Sequence, residues 1–111
     1  MVKSNFSISK KRRGLELKIT IEFLSLPVVV KIVGGKEISF NFSGQTIDDL
    51  LSEIVNKYGQ QLQNFLYDGS GQLDTMFKIL LNKKEWISRD QMNKILKDGD
   101  RITIMMLVAG G

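Results

Sequence analysis

The residues best placed to do chemistry stand together at the end of the sequence, Leu107-Val108-Ala109-Gly110-Gly111. The reactive group of such a tail is the terminal carboxylate, ionised at neutral pH because its reference pKa is about 3.3–3.7. A carboxylate can attack a nucleotide phosphate and become an activated acyl group. Gly110 and Gly111 carry no Cβ, so the backbone that delivers the carboxylate can lie extended in a channel that a larger residue would obstruct. Gly111 is therefore the candidate reactive residue and Gly110 its narrow support, in a tail expected to be flexible.

Little else in the chain offers catalysis. There is no cysteine and no histidine. That removes disulfides, thiolate metal sites, a cysteine nucleophile, the usual general base and the commonest metal ligand. Asp98 and Asp100 flank Gly99, but the remaining ligands of a calcium loop are missing, and a tight turn is the expected role. No metal and no bound cofactor are expected. The chain reads as a non-enzyme that needs a partner to supply the catalysis.

The element that must position the tail is a strand over Arg101–Leu107. Ile102, Ile104 and Met106 alternate there with Arg101, Thr103 and Met105. Met105 and Leu107 are apolar on the otherwise polar face. With Val108 and Ala109 they make the candidate partner-binding surface beside the tail. Asp98-Gly99-Asp100 launches this strand.

Upstream, Leu15–Phe23 alternates strictly and predicts a strand with one buried and one wet face. Leu24–Val33 contains Pro27 and the β-branched run Val28-Val29-Val30, and is expected to be an irregular or short-strand connector. Gly34-Gly35 marks a turn. Glu37–Phe42 is a second strand, with Ile38, Phe40 and Phe42 inward, antiparallel to the first. Thr46–Tyr58 is the main helix: Thr46 caps it, Asp48 and Asp49 suit its positive end, and Gly59 stops it. Gln60–Leu73 is expected to hold a further helical turn before the Asp68-Gly69-Ser70-Gly71 turn. Met76–Leu81 is a third strand, followed by a turn at Asn82-Lys83-Lys84 and a short strand around Trp86 and Ile87. Ser88–Lys97 is expected to be irregular, with one helical turn.

At 111 residues, 42% of them apolar and 25% charged, the chain is sized for one domain with one core. Its net charge of +4 is concentrated at the start. Lys3, Lys10, Lys11, Arg12 and Arg13 fall within residues 1–14, which contain no acid, so the rest of the chain is close to neutral. The expected organisation is a basic arm over 1–14, with a possible edge strand around Phe6 and Ile8, and a folded domain over 15–111. No run approaches the about 20 apolar residues that span a bilayer. The basic start is not followed by an apolar signal core. A cytoplasmic location without membrane contact is the expectation.

This order of elements is that of an α+β fold, the β-grasp or ubiquitin-like fold, with a mixed sheet packed on one main helix. Four stretches narrow the likeness. Ser43-Gly44-Gln45-Thr46-Ile47-Asp48-Asp49-Leu50-Leu51 resembles the strand-to-helix entry of the bacterial sulfur carriers (the MoaD and ThiS type). Leu81-Asn82-Lys83 looks like their V-N-G strand-turn. Leu96-Lys97-Asp98-Gly99-Asp100-Arg101-Ile102 is similar to their L-x-D-G-D-x-apolar approach to the last strand. Val108-Ala109-Gly110-Gly111 resembles their terminal signature. The segment Leu62–Leu73 fills an interval that the thiamine-pathway carrier lacks, so the resemblance is closest to the small subunit of molybdopterin synthase. Met105-Met106-Leu107 departs from that type, which often has proline or an aromatic there.

The resemblance implies a function. A ubiquitin-activating-type adenylyltransferase would use ATP to adenylate Gly111. A persulfide donor protein would then convert the end to a thiocarboxylate. The sulfur would pass to a pterin precursor in the molybdopterin synthase large subunit, making the chain the sulfur-donor subunit of a sulfurtransferase. A thiazole sulfur carrier of the thiamine pathway and a ubiquitin-like modifier of lysines are the alternatives. A nucleic-acid module built on the basic arm is the third class of reading, and nucleic acid is not the expected partner.

Overall fold

The computed structural model describes residues 16–106. The basic arm, with the edge strand expected around Phe6 and Ile8, lies outside the described residues. So do Leu15 and the tail residues Leu107, Val108, Ala109, Gly110 and Gly111. The described elements are β1 (Leu17–Leu24), α1 (Pro27–Val33), β2 (Glu37–Phe42), α2 (Ile47–Tyr58), α3 (Gln60–Leu66), β3 (Phe77–Leu81), β4 (Glu85–Ile87) and β5 (Arg101–Met106). A single 3-10 turn, Arg89–Gln91, sits between the last two strands.

The strands form one mixed sheet in the order β2-β1-β5-β3-β4. β1 pairs antiparallel with β2 and parallel with β5, and β3 pairs antiparallel with both β4 and β5. This is the expected β-grasp architecture. The alternation read in the sequence explains which face is dry: Ile19, Ile21, Phe23, Phe40, Phe42, Phe77, Ile79, Ile102 and Ile104 are all buried. They meet the stripe Ile47, Leu50, Leu51 and Ile54 of α2. Each such side chain removed from water contributes about 1.5–3 kcal/mol.

α2 starts and stops as the sequence predicts. The Thr46 hydroxyl accepts the Asp49 N–H at 3.1 Å, and the Asp49 carboxylate accepts the Thr46 N–H at 3.1 Å. These reciprocal bonds satisfy two donors that a helix start leaves open. Gly59, at φ +93, ends the helix and donates its N–H to the Val55 carbonyl at 2.8 Å.

Residues 27–33 differ from expectation: the connector is the helix α1, not an extended segment. Pro27 occupies the first turn, where a missing N–H costs no helical bond and the ring fixes a helical φ. Gly34, at φ +89, closes the other end in the left-handed conformation. Leu26, Val29, Val30 and Val33 recur at helical spacing. Leu26 and Val29 are buried, and Val30 and Val33 pack against the core. That burial overrides the strand preference of three consecutive valines. α3 is likewise longer than the single turn expected, and buries Leu62 and Leu66.

Candidate functional site

The strand that leads into the tail is the central strand of the sheet. Its last described pairs are Leu24 with Met105 on one side and Phe77 with Met106 on the other. β1 ends at Leu24 and β3 begins at Phe77. The backbone is therefore held from both sides as far as Met105, and by β3 alone at Met106. A central strand is among the stiffest supports a small domain can give to a reactive group.

The opposite end of β5 is held by two of the stretches that carry the sequence resemblance, which meet there. The Asn82 carboxamide accepts the Arg101 N–H at 2.7 Å and donates to Asp100 Oδ1 at 3.0 Å. Asp100 Oδ2 accepts the Lys97 N–H at 2.8 Å, and Asp98 Oδ1 accepts the Lys18 N–H at 2.8 Å. Gly99, at φ +88, donates its N–H to the Lys18 carbonyl at 2.9 Å. Both carboxylates of this turn are thus engaged by backbone, and their role is to set the register of β5. Asn82 and Lys83 both take positive φ, at 53° and 60°, in the tight turn between β3 and β4.

The outer face of the sheet is where the sequence reading expects a partner of the tail. One row across it runs Glu37, Glu22, Thr103, Leu80 and Trp86, and the next runs Leu24, Met105 and Lys78. Met105 lies where the sequence predicts, partly exposed between Leu24 and Lys78. Trp86 is 56% exposed. Trp86, Leu80, Met105 and Leu24 place an apolar strip diagonally across the face. The sequence reading named only Met105 of these. The alternation Glu85-Trp86-Ile87 carried a signal for Trp86, because burial of Ile87 turns its neighbour outward.

Thr103 departs from the expectation of a wet face: it is 1% exposed. Lying mid-row in the central strand, it is flanked on both sides. Its hydroxyl donates to Glu22 Oε1 at 3.1 Å. The same oxygen lies 3.2 Å from Lys83 Nζ and 3.3 Å from Arg101 Nη1, and that guanidinium also reaches Glu37 at 3.1 Å. Desolvation pushes the Glu22 carboxyl up. The Lys83 ammonium, the Thr103 hydroxyl and the Arg101 guanidinium outweigh it and hold the carboxyl below its ordinary value. The apolar strip therefore has a charged, hydrogen-bonded border on its β2 side.

On the inner side, a cleft of about 500 Å³ lies between the start of α2, the 67–77 loop and the 3-10 turn. Arg89 bridges its walls, donating to Gln72 Oε1 at 2.6 Å and lying 3.7 Å from Asp68. Among the described residues no cluster of acids is grouped as a metal site. No helix among them is long and apolar enough to cross a membrane.

A family model described as the ThiS family matches residues 28–111. No curated protein matches the chain. Among solved structures, the HVO 2177 protein of Haloferax volcanii is similar at 26% identity and TM-score 0.68, over 87% of this chain and 89% of that one. Small archaeal modifier protein 1 of Methanosarcina acetivorans is similar at 21% identity and TM-score 0.69, over 86% of this chain and 98% of that one. A putative molybdopterin converting factor, subunit 1, of Pyrococcus furiosus is similar at 20% identity and TM-score 0.57, over 83% of this chain and 99% of that one. The likeness to the last two is one of fold.

Proposed function

Because the chain belongs to the ThiS family of ubiquitin-like sulfur carriers, matched over residues 28–111, we propose that Gly111 carries sulfur to molybdopterin as the C-terminal thiocarboxylate of the synthase small subunit. The Gly111 carboxylate attacks the α-phosphate of ATP on an adenylyltransferase of the ubiquitin-activating type, and pyrophosphate leaves. The terminal sulfur of a donor persulfide displaces AMP, and cleavage of the resulting acyl disulfide by a thiol leaves the thiocarboxylate. Its sulfur then attacks a carbon of the pterin precursor in the large subunit and displaces oxygen there; water cleaves the thioester so formed, leaving the sulfur on the pterin and returning the Gly111 carboxylate, with Met105, Leu107, Val108 and Ala109 against the partner. The observation that carries this reading is the family match extending through Gly110 and Gly111, on a strand paired on both sides up to Met105. The molybdopterin assignment is supported by the filled interval after α2, where α3 and the Asp68 turn add structure.

The likeness to an archaeal modifier protein favours one second reading: the same acyl adenylate is attacked by a lysine amine, giving an isopeptide bond. The two readings share activation and differ in acceptor.

The test is to incubate the full chain with the adenylyltransferase, ATP and a persulfide donor and to record its intact mass. The chain should gain the mass difference of one sulfur replacing one oxygen. Gly111→Ala adds a Cβ in the narrow channel and should not be charged. One residue appended after Gly111 displaces the carboxylate by about 3.3–3.6 Å, too far for a positioned reaction. If the extended chain is charged and supports cofactor synthesis as wild type does, the proposal is wrong. Lysine conjugates in place of sulfur transfer would select the modifier reading.

A further inference from the structure

At the end of the sheet toward which β5 runs lies an open groove outside the outer face. Pro27, Val28 and Val30 give it an apolar wall above the buried Phe23 and Leu26, and Lys31 and Lys36 stand at its rim. Val28 keeps 48% of its surface exposed, although α1 is otherwise packed on the core. No acid lines the groove. Among the described residues, neither Lys31 nor Lys36 takes part in a salt bridge. Ser25, at φ +59, turns the chain out of β1 into this groove. The groove therefore begins one residue beyond the pair Leu24–Met105, at the end of the sheet where β5 runs toward the tail.

We propose that this groove binds an acidic-apolar segment of the protein that receives the tail. An aliphatic or aromatic side chain of that segment packs against Pro27, Val28 and Val30, and carboxylates on either side of it pair with Lys31 and Lys36. The choice of occupant follows from charge. A neutral apolar segment leaves two ammonium groups without partners at the edge of a dry contact, and a basic one is repelled. A second copy of this chain would bring the same lysines against each other. A phosphate-rich ligand would satisfy the lysines but would desolvate against an apolar wall. The identity of the partner rests on the sulfur-carrier reading, whereas the chemistry of the groove does not.

The experiment separates the two. The isotopically labelled full chain is titrated with a synthetic peptide bearing a Leu-Phe pair flanked by glutamates, and with the same peptide carrying lysines in their place. The acidic peptide should shift the amides of residues 25–36, and its binding should weaken with salt. The double variant Lys31→Glu, Lys36→Glu should bind it about tenfold more weakly, and Val28→Asp should bind it not at all while keeping its melting temperature. Shifts confined to the outer sheet face, equal binding of both peptides, or unchanged affinity of the double variant would overturn the proposal. In a second arm, adenylation of the double variant should show kcat/KM lower by about tenfold with the tail intact. Equal kcat/KM would place the groove outside the tail-receiving interface and overturn that part of the proposal. If the wild-type chain binds the acidic peptide as described but is never adenylated, the groove stands and the carrier reading fails.

Discussion

Among the described glycines, Gly44 is the one where an added side chain meets the closest neighbours. A Cβ built there would lie 2.7 Å from the Asp49 Cβ and 2.8 Å from Phe42 Cε1. The residue sits between the buried ring that ends β2 and the carboxylate that caps α2, so neither neighbour can give way freely. Gly44→Ala should destabilise the fold by about 1–3 kcal/mol, read from the midpoint of urea unfolding. Asp49 adds a pH dependence. The backbone N–H groups of Gln45 and Thr46 hold its carboxyl below the ordinary 3.8, against the upward push of burial. A carboxyl whose folded pKa is depressed stabilises the fold above its unfolded value, and that contribution is lost as pH falls through the folded value. The stability gap between wild type and Asp49→Asn should therefore be constant from neutrality down to about pH 5 and close between about pH 4 and pH 2.

The element on which function depends is β5, and its two ends are held differently. Near the tail it is held by its neighbouring strands, through the pairs at Met105 and Met106. At its start it is held by side chains of two turns, with Asn82 as the link between them. Asn82→Ala removes an acceptor for the Arg101 N–H and a donor to Asp100. It also puts alanine at φ +53, a conformation asparagine tolerates better. The expected cost is about 1–2 kcal/mol, with faster hydrogen exchange at the Arg101 amide and no change in the reactivity of the tail per folded molecule. α1 shows the converse balance, a helix of seven residues in which packing outweighs propensity.

Across the whole molecule, the outer face and the groove lie near the same end of β5, so a partner that takes the tail can use both. The exposed indole of Trp86 lies over the outer face beside Leu80, away from the core cluster. Trp86→Ala should change stability by less than about 1 kcal/mol. It should weaken capture by a tail-receiving partner by more than about tenfold, since large aromatic side chains dominate such contacts. Calorimetric titration against the molybdopterin synthase large subunit checks this. A loss of folding in that variant would place Trp86 in the core instead.

Much of this protein is legible in one dimension because the governing interactions are local. Alternation assigned the dry faces of β1, β2, β3 and β5, since successive side chains point to opposite sides. Thr46, Asp49 and Gly59 bounded the main helix through contacts spanning three or four residues, and Asp98-Gly99-Asp100 announced its turn in the same way. The chemistry proposed for Gly110 and Gly111 was also read from the sequence, because it rests on what those residues lack. The helical α1 was harder to read. Its stripe Leu26, Val29, Val30 and Val33 spans two turns, and a core that no local pattern displays outweighs the strand preference of three valines. The burial of Thr103, the assembly of Trp86, Leu80, Met105 and Leu24 into one strip, and the open groove were not legible at all. The first two, and the place of the groove at the end of β5, depend on β5 lying between β1 and β3. Those pairings join segments far apart in the chain, such as Leu24 with Met105, and are set by how the dry faces close over one another.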